Sequence, residues 1–339
     1  MADDPKGAFR THANYLRAFS MLTVIDNPIV SRRAALARLS RRVRSLASYA
    51  KLQRRDVDVG QLRRSLNHAW GTELVLGLPV TYAQGEDEIF RLANNWGVVQ
   101  VYYVLYHATQ ALAVASGFAR PENHQKTINL FSDRWTTKPV PLPPWSFGAQ
   151  VRGFSNAPAQ VSDSVHPWTA CTPRTCWGLA GKALRTTRQE LVAEAWRQER
   201  KRKQVQARKV WEEEERNRRQ SGRAARKKPT FALPILTEAE KAAVAARLAP
   251  TCLMDYLWRL RVKAHYQDAS VFIEGPERGE STSLYGHLRW LVSASLLVHE
   301  LHVTRLVGRT LMTELVDQWL KRMTTKIGLP MRRDFILAP

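Results

Sequence analysis

The sequence predicts an all-α protein, and three observations support this. Apolar residues recur at three- and four-residue steps in most segments, as they do in amphipathic helices. The stretch 179–226 is rich in Glu, Arg, Lys and Gln and has few apolar residues, which is typical of a long polar helix. The best strand candidate is a single short stretch, 72–82. We therefore expect a helical bundle with a long basic insertion.

Composition limits the class of protein. The chain has 339 residues and is 44% hydrophobic, which excludes wholesale disorder. It has no apolar run of about 18 residues, so no membrane helix is expected, and its N-terminus does not resemble a secretory signal. Three cysteines argue against a disulfide framework and favour a cytoplasmic location. The net charge of +22 favours a polyanionic partner, most simply nucleic acid.

The positive charge is concentrated in two stretches. Residues 31–64 contain 11 Lys and Arg against two Asp, and residues 196–228 contain 14 against five Glu. Each stretch therefore has a balance of +9, and the rest of the chain is nearly neutral. Basic elements favour contact with phosphates, although a basic helix face is also common on solvated surfaces.

Both basic stretches predict helices that carry candidate nucleic-acid contacts. Within 31–53 the apolar stripe is Leu36, Leu39, Val43, Leu46 and Ala50. Residues that fall off apolar stripes in the two helices are candidate phosphate contacts: Arg38, Arg41, Arg42, Arg200, Lys201, Arg202, Lys203, Arg208 and Lys209. In the second helix, Trp196 and Trp211 either stack on bases or anchor the helix to the body.

The remaining elements follow from periodicity and from helix-breaking residues. Gly77-Leu78-Pro79 predicts a short β-hairpin near 72–82. A long helix is expected to begin at Asp87 and Glu88 and to end at Gly117. Prolines predict an irregular segment over 136–173. Further helices are expected over 123–131, 250–267, 281–307 and 310–326.

Signatures of metal and cofactor chemistry are absent from the sequence. It contains no phosphate loop, no dinucleotide-binding glycine motif and no HExxH. Cys171 and Cys176 lie near His166, but the chain lacks the second cysteine pair of a zinc finger. His299 and His302 have a metal-like spacing without a carboxylate pair to complete a site. We expect no metal and no cofactor.

Two motifs on either side of the insertion resemble those of the HEPN superfamily of small helical bundles. The first, within 98–131, consists of Tyr102, Tyr103, Leu105, Tyr106, His107, Ala108, Ala111, Leu112, Gly117, His124 and Phe131. The second, within 255–268, consists of Leu257, Leu260, Arg261, Ala264, His265, Tyr266 and Asp268. The order of the motifs and their helical context agree with the family, and the resemblance covers about half the chain.

The resemblance implies a HEPN-like up-down bundle that an insertion divides in two. Its halves would be 86–135 and 250–326, separated by a Pro-rich segment and basic helix over 136–249. Residues 1–85 would form an N-terminal accessory region, and 327–339 a C-terminal tail. Relatives are often homodimers, and they often pair with a nucleotidyltransferase or another defence-system protein.

The resemblance also implies action on nucleic acid, often as a metal-independent endoribonuclease in toxin or antiviral systems. Active members carry an Arg and, four to six residues later, a His, and these motifs lie at the interface of a homodimer. Because such members cleave RNA, the resemblance favours RNA over DNA as the substrate. Arg259 fits this spacing with His265, whereas Arg261 is one residue too close but would share a helix face with it. When the RNA 2′-hydroxyl attacks the adjacent phosphate, a histidine can transfer a proton and an arginine can stabilise the developing negative charge on the phosphate. Tyr266 and Asp268 would orient these groups.

A non-catalytic reading of the same residues stays open at this point. Many inactive relatives carry Asp at the position of His265, and a lone histidine is often structural. Tyr266 would then be a core residue and Asp268 a turn residue. In that case the protein would be a HEPN-like module that binds nucleic acid or a protein partner without cleaving RNA.

Overall fold

The computed structural model describes residues 4–24, 31–83, 86–137, 142–149, 166–325 and 327–338. These residues form thirteen α-helices and one pair of two-residue strands, so the all-α prediction is confirmed. The helices are α1 (Pro5–Leu22), α2 (Arg32–Arg44), α3 (Ala47–Ala50), α4 (Val59–Tyr82), α5 (Asp87–Ala115), α6 (His124–Phe131), α7 (Cys176–Gln220), α8 (Glu238–Ala246), α9 (Leu253–Val262), α10 (Ala269–Ile273), α11 (Glu280–Val307), α12 (Arg309–Arg322) and α13 (Leu329–Leu337). Two π-helical turns cover Ser132–Thr136 and Lys263–Gln267, and β1 (Gly148–Ala149) pairs antiparallel with β2 (Thr251–Cys252).

Helix α5 lies at the centre of the bundle. From 98 to 115 nearly all of its residues are buried, as expected for a helix enclosed by other helices. It packs mainly against α4 and α11, and it also contacts α6 and α9. Phe9, Leu36 and Trp70 belong to the same hydrophobic core as Tyr102. The helices of residues 1–85 therefore contribute to the core of the bundle.

The hairpin predicted near 72–82 is wrong, because these residues form the last part of α4. The buried positions of α4 include Leu62, Leu66, Ala69, Glu73 and Leu76. Glu73 occupies a core position of this helical repeat, and its charge interrupts the apolar pattern in the sequence. Packing against α5 outweighs the local strand propensity. Gly77 is needed within α4 because a Cβ there would collide with the Ile327 side chain.

The first basic helix is shorter than predicted. It ends at Arg44, a single turn follows as α3, and Ala50 is exposed rather than part of the apolar stripe. Leu36, Leu39 and Val43 are buried as expected. Arg44 Nη2 donates to the carbonyls of Phe335 and Ala338 at 2.8 and 2.9 Å. These bonds tie the end of α2 to the C-terminal helix.

Most of the other predicted helices are confirmed to within a few residues. Helix α5 begins at Asp87 and is followed by Gly117 in the left-handed region. In α6, the Asn123 side chain caps the helix by accepting from Lys126 N at 2.9 Å. The described parts of the predicted irregular segment, 136–137, 142–149 and 166–173, contain the end of the first π-helical turn, further turns and β1. The other residues of 138–165 lie outside the described residues.

The basic insertion forms a helical arm with a return segment beside it. Helix α7 has 45 residues, which corresponds to about 67 Å, and its buried residues lie mostly before Val192. Beyond this point, Arg200 Nε donates to the Pro234 carbonyl at 2.7 Å and Gln204 Nε2 donates to the Phe231 carbonyl at 2.5 Å. The chain after α7 therefore runs back along the arm.

A fully buried arginine ties the end of the chain to the core. Residues 327–339, predicted as a tail, contain α13, whose Arg332 is 0% exposed. Arg332 Nε donates to Glu300 Oε2 on α11 at 2.8 Å, and Nη2 donates to Glu73 Oε2 on α4 at 2.8 Å. Trp70 Nε1 also donates to Glu300 at 2.8 Å. Because an unpaired buried charge is very unfavourable, these groups depend on one another.

We expect Arg332→Leu to lower the free energy of unfolding by about 3–5 kcal/mol, because it leaves two carboxylates buried without a cation. Urea denaturation followed by circular dichroism measures this change. The neighbouring Arg333→Leu is the matched control, since Arg333 pairs with Asp317 in a half-exposed position. Its loss should cost less than about 1 kcal/mol. Equal destabilisation by the two variants would contradict the role of Arg332.

Candidate functional site

Three elements place polar and aromatic side chains together at the surface of the bundle. Helix α5 contributes four residues, α9 contributes two, and α6 contributes its first residue. These residues, called the Arg261 cluster below, are Tyr102, Tyr103, Tyr106, His107, His124, Trp258 and Arg261. Tyr103, His107, His124 and Trp258 are half-buried, so the cluster is accessible to solvent.

Local sequence explains how these side chains meet. On α5, Tyr106 lies one turn after Tyr102, and His107 lies one turn after Tyr103. The four side chains therefore cover one side of that helix. Trp258 and Arg261 lie three residues apart on α9 and share a face. Gly117, with φ of +80°, allows the chain to turn back after α5 and bring His124 over Tyr102 and Tyr106.

Arg261 is a buried cation without a carboxylate partner among the described residues. It is 8% exposed, and its Nη1 donates to the Tyr103 hydroxyl at 2.6 Å. Its guanidinium lies over the Trp258 ring, 4.2 Å from the centroid. Its Nε is buried and has no hydrogen-bond partner in the described part of the chain. Arg261 therefore has an unused donor and an uncompensated positive charge.

His124 lies beside this cation. Its Nδ1 is 2.8 Å from the Tyr102 hydroxyl, and its ring centroid is 4.4 Å from that of Trp258. Burial, and then the positive charge of Arg261, lower the pKa of His124 below its usual 6.5. The imidazole of His124 is therefore neutral at pH 7.

Hydrogen bonds fix the tautomer of His107. Arg120 donates to Gln110 Oε1 at 3.0 Å, and Gln110 Nε2 donates to the Pro121 carbonyl at 2.8 Å. Gln110 Oε1 is therefore an acceptor, and His107 Nδ1, 3.1 Å away, donates to it. In the neutral ring this leaves the Nε2 lone pair free to accept a proton. Burial is the main cause that lowers the pKa of His107 to about 4.

The structure does not bring His265 and Arg261 together. Arg261 contacts Tyr103, whereas the His265 ring lies 5.0 Å from Trp96. Trp96 and Tyr103 are seven residues apart on α5, which is about 10 Å along the helix. Arg259 points to α7, where its Nε donates to Glu190 at 2.6 Å. His265 and its two alternative arginine partners, Arg259 and Arg261, thus have three separate environments.

The other two residues of that motif are exposed. Tyr266 is 69% exposed and contacts the His265 ring. The alternative prediction that Tyr266 is a core residue is therefore wrong. Asp268 is exposed at the N-terminus of α10 and makes no side-chain cap there. His265 itself is exposed and makes no hydrogen bond with the described residues.

The candidate nucleic-acid contacts divide into paired and unpaired groups. Arg202 pairs with Glu199 at 2.6 Å, Arg208 pairs with Glu212 at 2.8 Å, and Lys203 pairs with Glu240. Arg200 is used in the contact with the return segment, and Arg42 is half-buried. Four residues are exposed and have no ion pair with the described residues: Arg38, Arg41, Lys201 and Lys209.

The two tryptophans of the arm anchor it to its surroundings. Trp196 Nε1 donates to the Lys241 carbonyl on α8 at 3.0 Å. The Trp211 ring contacts the Phe231 ring of the return segment, with centroids 6.2 Å apart. The anchoring role is therefore favoured over base stacking for both residues.

The cysteines and the paired histidines are buried. Burial raises the pKa of Cys171 to about 12 and that of Cys176 above its usual value. His299 and His302 donate from Nδ1 to the carbonyls four residues earlier, both at 2.8 Å. Among the described residues, no group of three His, Cys, Asp or Glu side chains could hold a metal ion.

No family model, curated protein or solved structure matches this chain. None of the helices in the described ranges has the length and apolar character needed to span a bilayer.

We expect the His107 ring signals in ¹H–¹³C NMR spectra to stay unchanged between about pH 8 and pH 5.5, and to titrate with a midpoint near 4. The physical reason is that burial disfavours the charged ring. The His107→Gln variant assigns the signals, and free imidazole in the sample serves as internal control. A midpoint near 6.5 would contradict the buried, neutral ring.

Proposed function

We propose that this protein cleaves RNA without a metal ion and that the Arg261 cluster is its active site. One observation carries the proposal: the buried guanidinium of Arg261 has no carboxylate partner in the described residues. The neutral ring of His124 lies against the same Trp258 ring. The ring of His107 lies 6.1 Å from that of Tyr103, whose hydroxyl accepts from Arg261. A buried, uncompensated cation with an unused N–H is suited to bind a phosphate oxygen. The imidazoles supply groups for proton transfer.

The substrate would bind as a single strand against the half-buried rings. Tyr103 and Trp258 are accessible to bases, and aromatic rings stack on bases with little sequence preference. Arg261 contacts both rings, so a phosphate bound at Arg261 has its neighbouring bases next to them. This arrangement requires an unpaired strand, because bases in a duplex are already stacked.

In the proposed reaction, His107 Nε2 accepts the proton of a 2′-hydroxyl while O2′ bonds to the adjacent phosphorus. Arg261 donates hydrogen bonds to the phosphate oxygens as their negative charge increases. The bond between phosphorus and O5′ breaks, and O5′ takes a proton from water. The products are a 2′,3′-cyclic phosphate and a 5′-hydroxyl, and His107 returns its proton to solvent.

The HEPN resemblance supports the same class of reaction. Tyr102, Tyr103, His107, His124 and Arg261 are all among the residues that carry the resemblance. A toxin or antiviral role, a homodimer, a nucleotidyltransferase partner and a cytoplasmic location are implied by the resemblance and the composition alone. They stay predictions.

We expect His107→Gln and Arg261→Lys to lower kcat/KM for a labelled single-stranded RNA by about 10²–10³-fold, because each removes one group from the transition state. The assay is run in EDTA, and mass spectrometry identifies the new 3′ ends. The DNA strand of the same sequence should stay intact because it lacks the 2′-hydroxyl.

The His265→Gln variant distinguishes this site from the pair predicted by spacing. It should retain activity, since His265 and Arg261 contact different parts of α5. Their partners there, Trp96 and Tyr103, lie about two helical turns apart. Loss of activity in His265→Gln with full activity in His107→Gln would contradict the proposed site. Abolition of cleavage by EDTA, or products without a cyclic phosphate, would contradict the proposed reaction.

A second candidate function is RNA binding without cleavage, and the arm favours it. Lys201 and Lys209 are exposed on α7 and have no ion pair with the described residues, so they are available for phosphates. We expect Lys201→Gln/Lys209→Gln to weaken RNA binding and to reduce the slope of log Kd against log salt by about 1.4, since each released contact contributes about 0.7.

The matched control for the arm is Lys321→Gln/Arg309→Gln, which removes two exposed charges elsewhere. Fluorescence anisotropy at several salt concentrations measures both variants. An identical slope for the two double variants would mean that the arm does not contact the phosphate backbone. Binding with no fragments in any condition would favour this function over cleavage.

A further inference from the structure

A cavity of about 460 Å³ lies among α1, α2 and α11 and shares no residue with the Arg261 cluster. Its lining includes Arg17 and Ser20 from α1, Arg32 from α2, and His287 and Trp290 from α11. This volume is within the usual range of small-molecule sites and is large enough for a mononucleotide.

The cavity has positive charge and no described negative charge. None of its described lining residues is Asp or Glu, and neither Arg17 nor Arg32 forms an ion pair with the described residues. Both guanidiniums act on His287, whose pKa is lowered to about 4 by burial first and then by these two charges. An anion that enters the cavity would therefore meet two uncompensated cations.

The cavity also presents neutral hydrogen-bond donors. Ser20 Oγ lies 3.2 Å from His287 Nδ1 and has no other acceptor among the described residues. Either group can be the donor in this hydrogen bond, which ties the His287 ring on α11 to α1 at the wall of the cavity. Ser283 adds a hydroxyl group to the lining, whereas the Thr282 hydroxyl donates to Asp87 Oδ1 at 2.6 Å. Neutral donors beside guanidiniums are typical of phosphate sites.

One side of the cavity is apolar and aromatic. Met21, Val24 and Trp290 line it. The indole of Trp290 is held in place because its Nε1 donates to Thr23 Oγ1 at 2.6 Å. A fixed indole next to cations suits a planar group attached to a phosphate.

From these contacts we infer that the cavity binds a phosphate-bearing organic anion of mononucleotide size. Its phosphate would lie at Arg17 and Arg32, and its base against Trp290. This site is separate from RNA cleavage and does not depend on it, since the two sites share no residue.

Isothermal titration calorimetry of the full-length protein with AMP tests the inference. AMP should bind, and both adenosine and inorganic phosphate should bind at least tenfold more weakly. The Arg17→Gln/Arg32→Gln variant should weaken AMP binding at least tenfold, because it removes both cations. The charge-matched control Arg63→Gln/Arg309→Gln changes two exposed arginines outside the cavity and should bind AMP as the wild type does.

A second variant tests the location without changing charge. Gly286 lines the cavity on α11, and a Cβ there would meet no atom within 4 Å. Gly286→Met should therefore fold, fill the cavity and weaken AMP binding at least tenfold. Absence of AMP binding at millimolar concentration, unchanged binding by either variant, or equal binding of inorganic phosphate would overturn the inference.

Discussion

The fold depends on the charge balance around Arg332, which joins the last helix to two helices of the core. Glu73 and Glu300 lie on the two helices that pack against α5, and both accept from this one guanidinium. Gly328, with φ of +75°, leaves room for Glu73, because a Cβ at that position would collide with the carboxylate. The interaction therefore holds in place the helix that carries the candidate active site.

The buried arginines of this fold differ in how their positive charge is compensated. Arg332 is fully enclosed and has two carboxylates, so its charge is compensated within the fold. Arg261 lies against three aromatic rings and donates to the hydroxyl of one of them, Tyr103, and its Nε has no partner in the described residues. Arg188 is also buried and has no ion pair with the described residues, but three backbone carbonyls accept from it, whereas Arg261 has one hydroxyl as acceptor. The fold therefore satisfies the charge of Arg261 less than that of the other two arginines. An anionic substrate supplies the missing charge, and this is the physical basis of the proposed function.

Periodicity in the sequence predicted the long helices, because their apolar positions and terminal residues are local signals. It failed at α4, where the core position of Glu73 is explained only by Arg332, 259 residues away. The predicted Arg261–His265 pairing stays a prediction, and its premise of a shared helix face meets another feature of the structure. It assumed a regular α-helix, but Asp268 N donates to the Lys263 carbonyl in a π-helical turn, which changes the directions of the side chains.

His107 and Arg261 belong to the two motifs of the HEPN resemblance, yet their proposed roles depend on contacts with residues outside those motifs. The tautomer of His107 is set by Gln110 and by Arg120 from the following loop, which no spacing rule indicates.

The most direct test of the proposed active site observes the Nε–H of Arg261 by ¹H–¹⁵N NMR during titration with a 2′-O-methyl dinucleotide, which cannot be cleaved. We predict that this signal, assigned with Arg261→Lys, shifts in a saturable manner. An unchanged Arg261 signal while the dinucleotide binds would contradict the account.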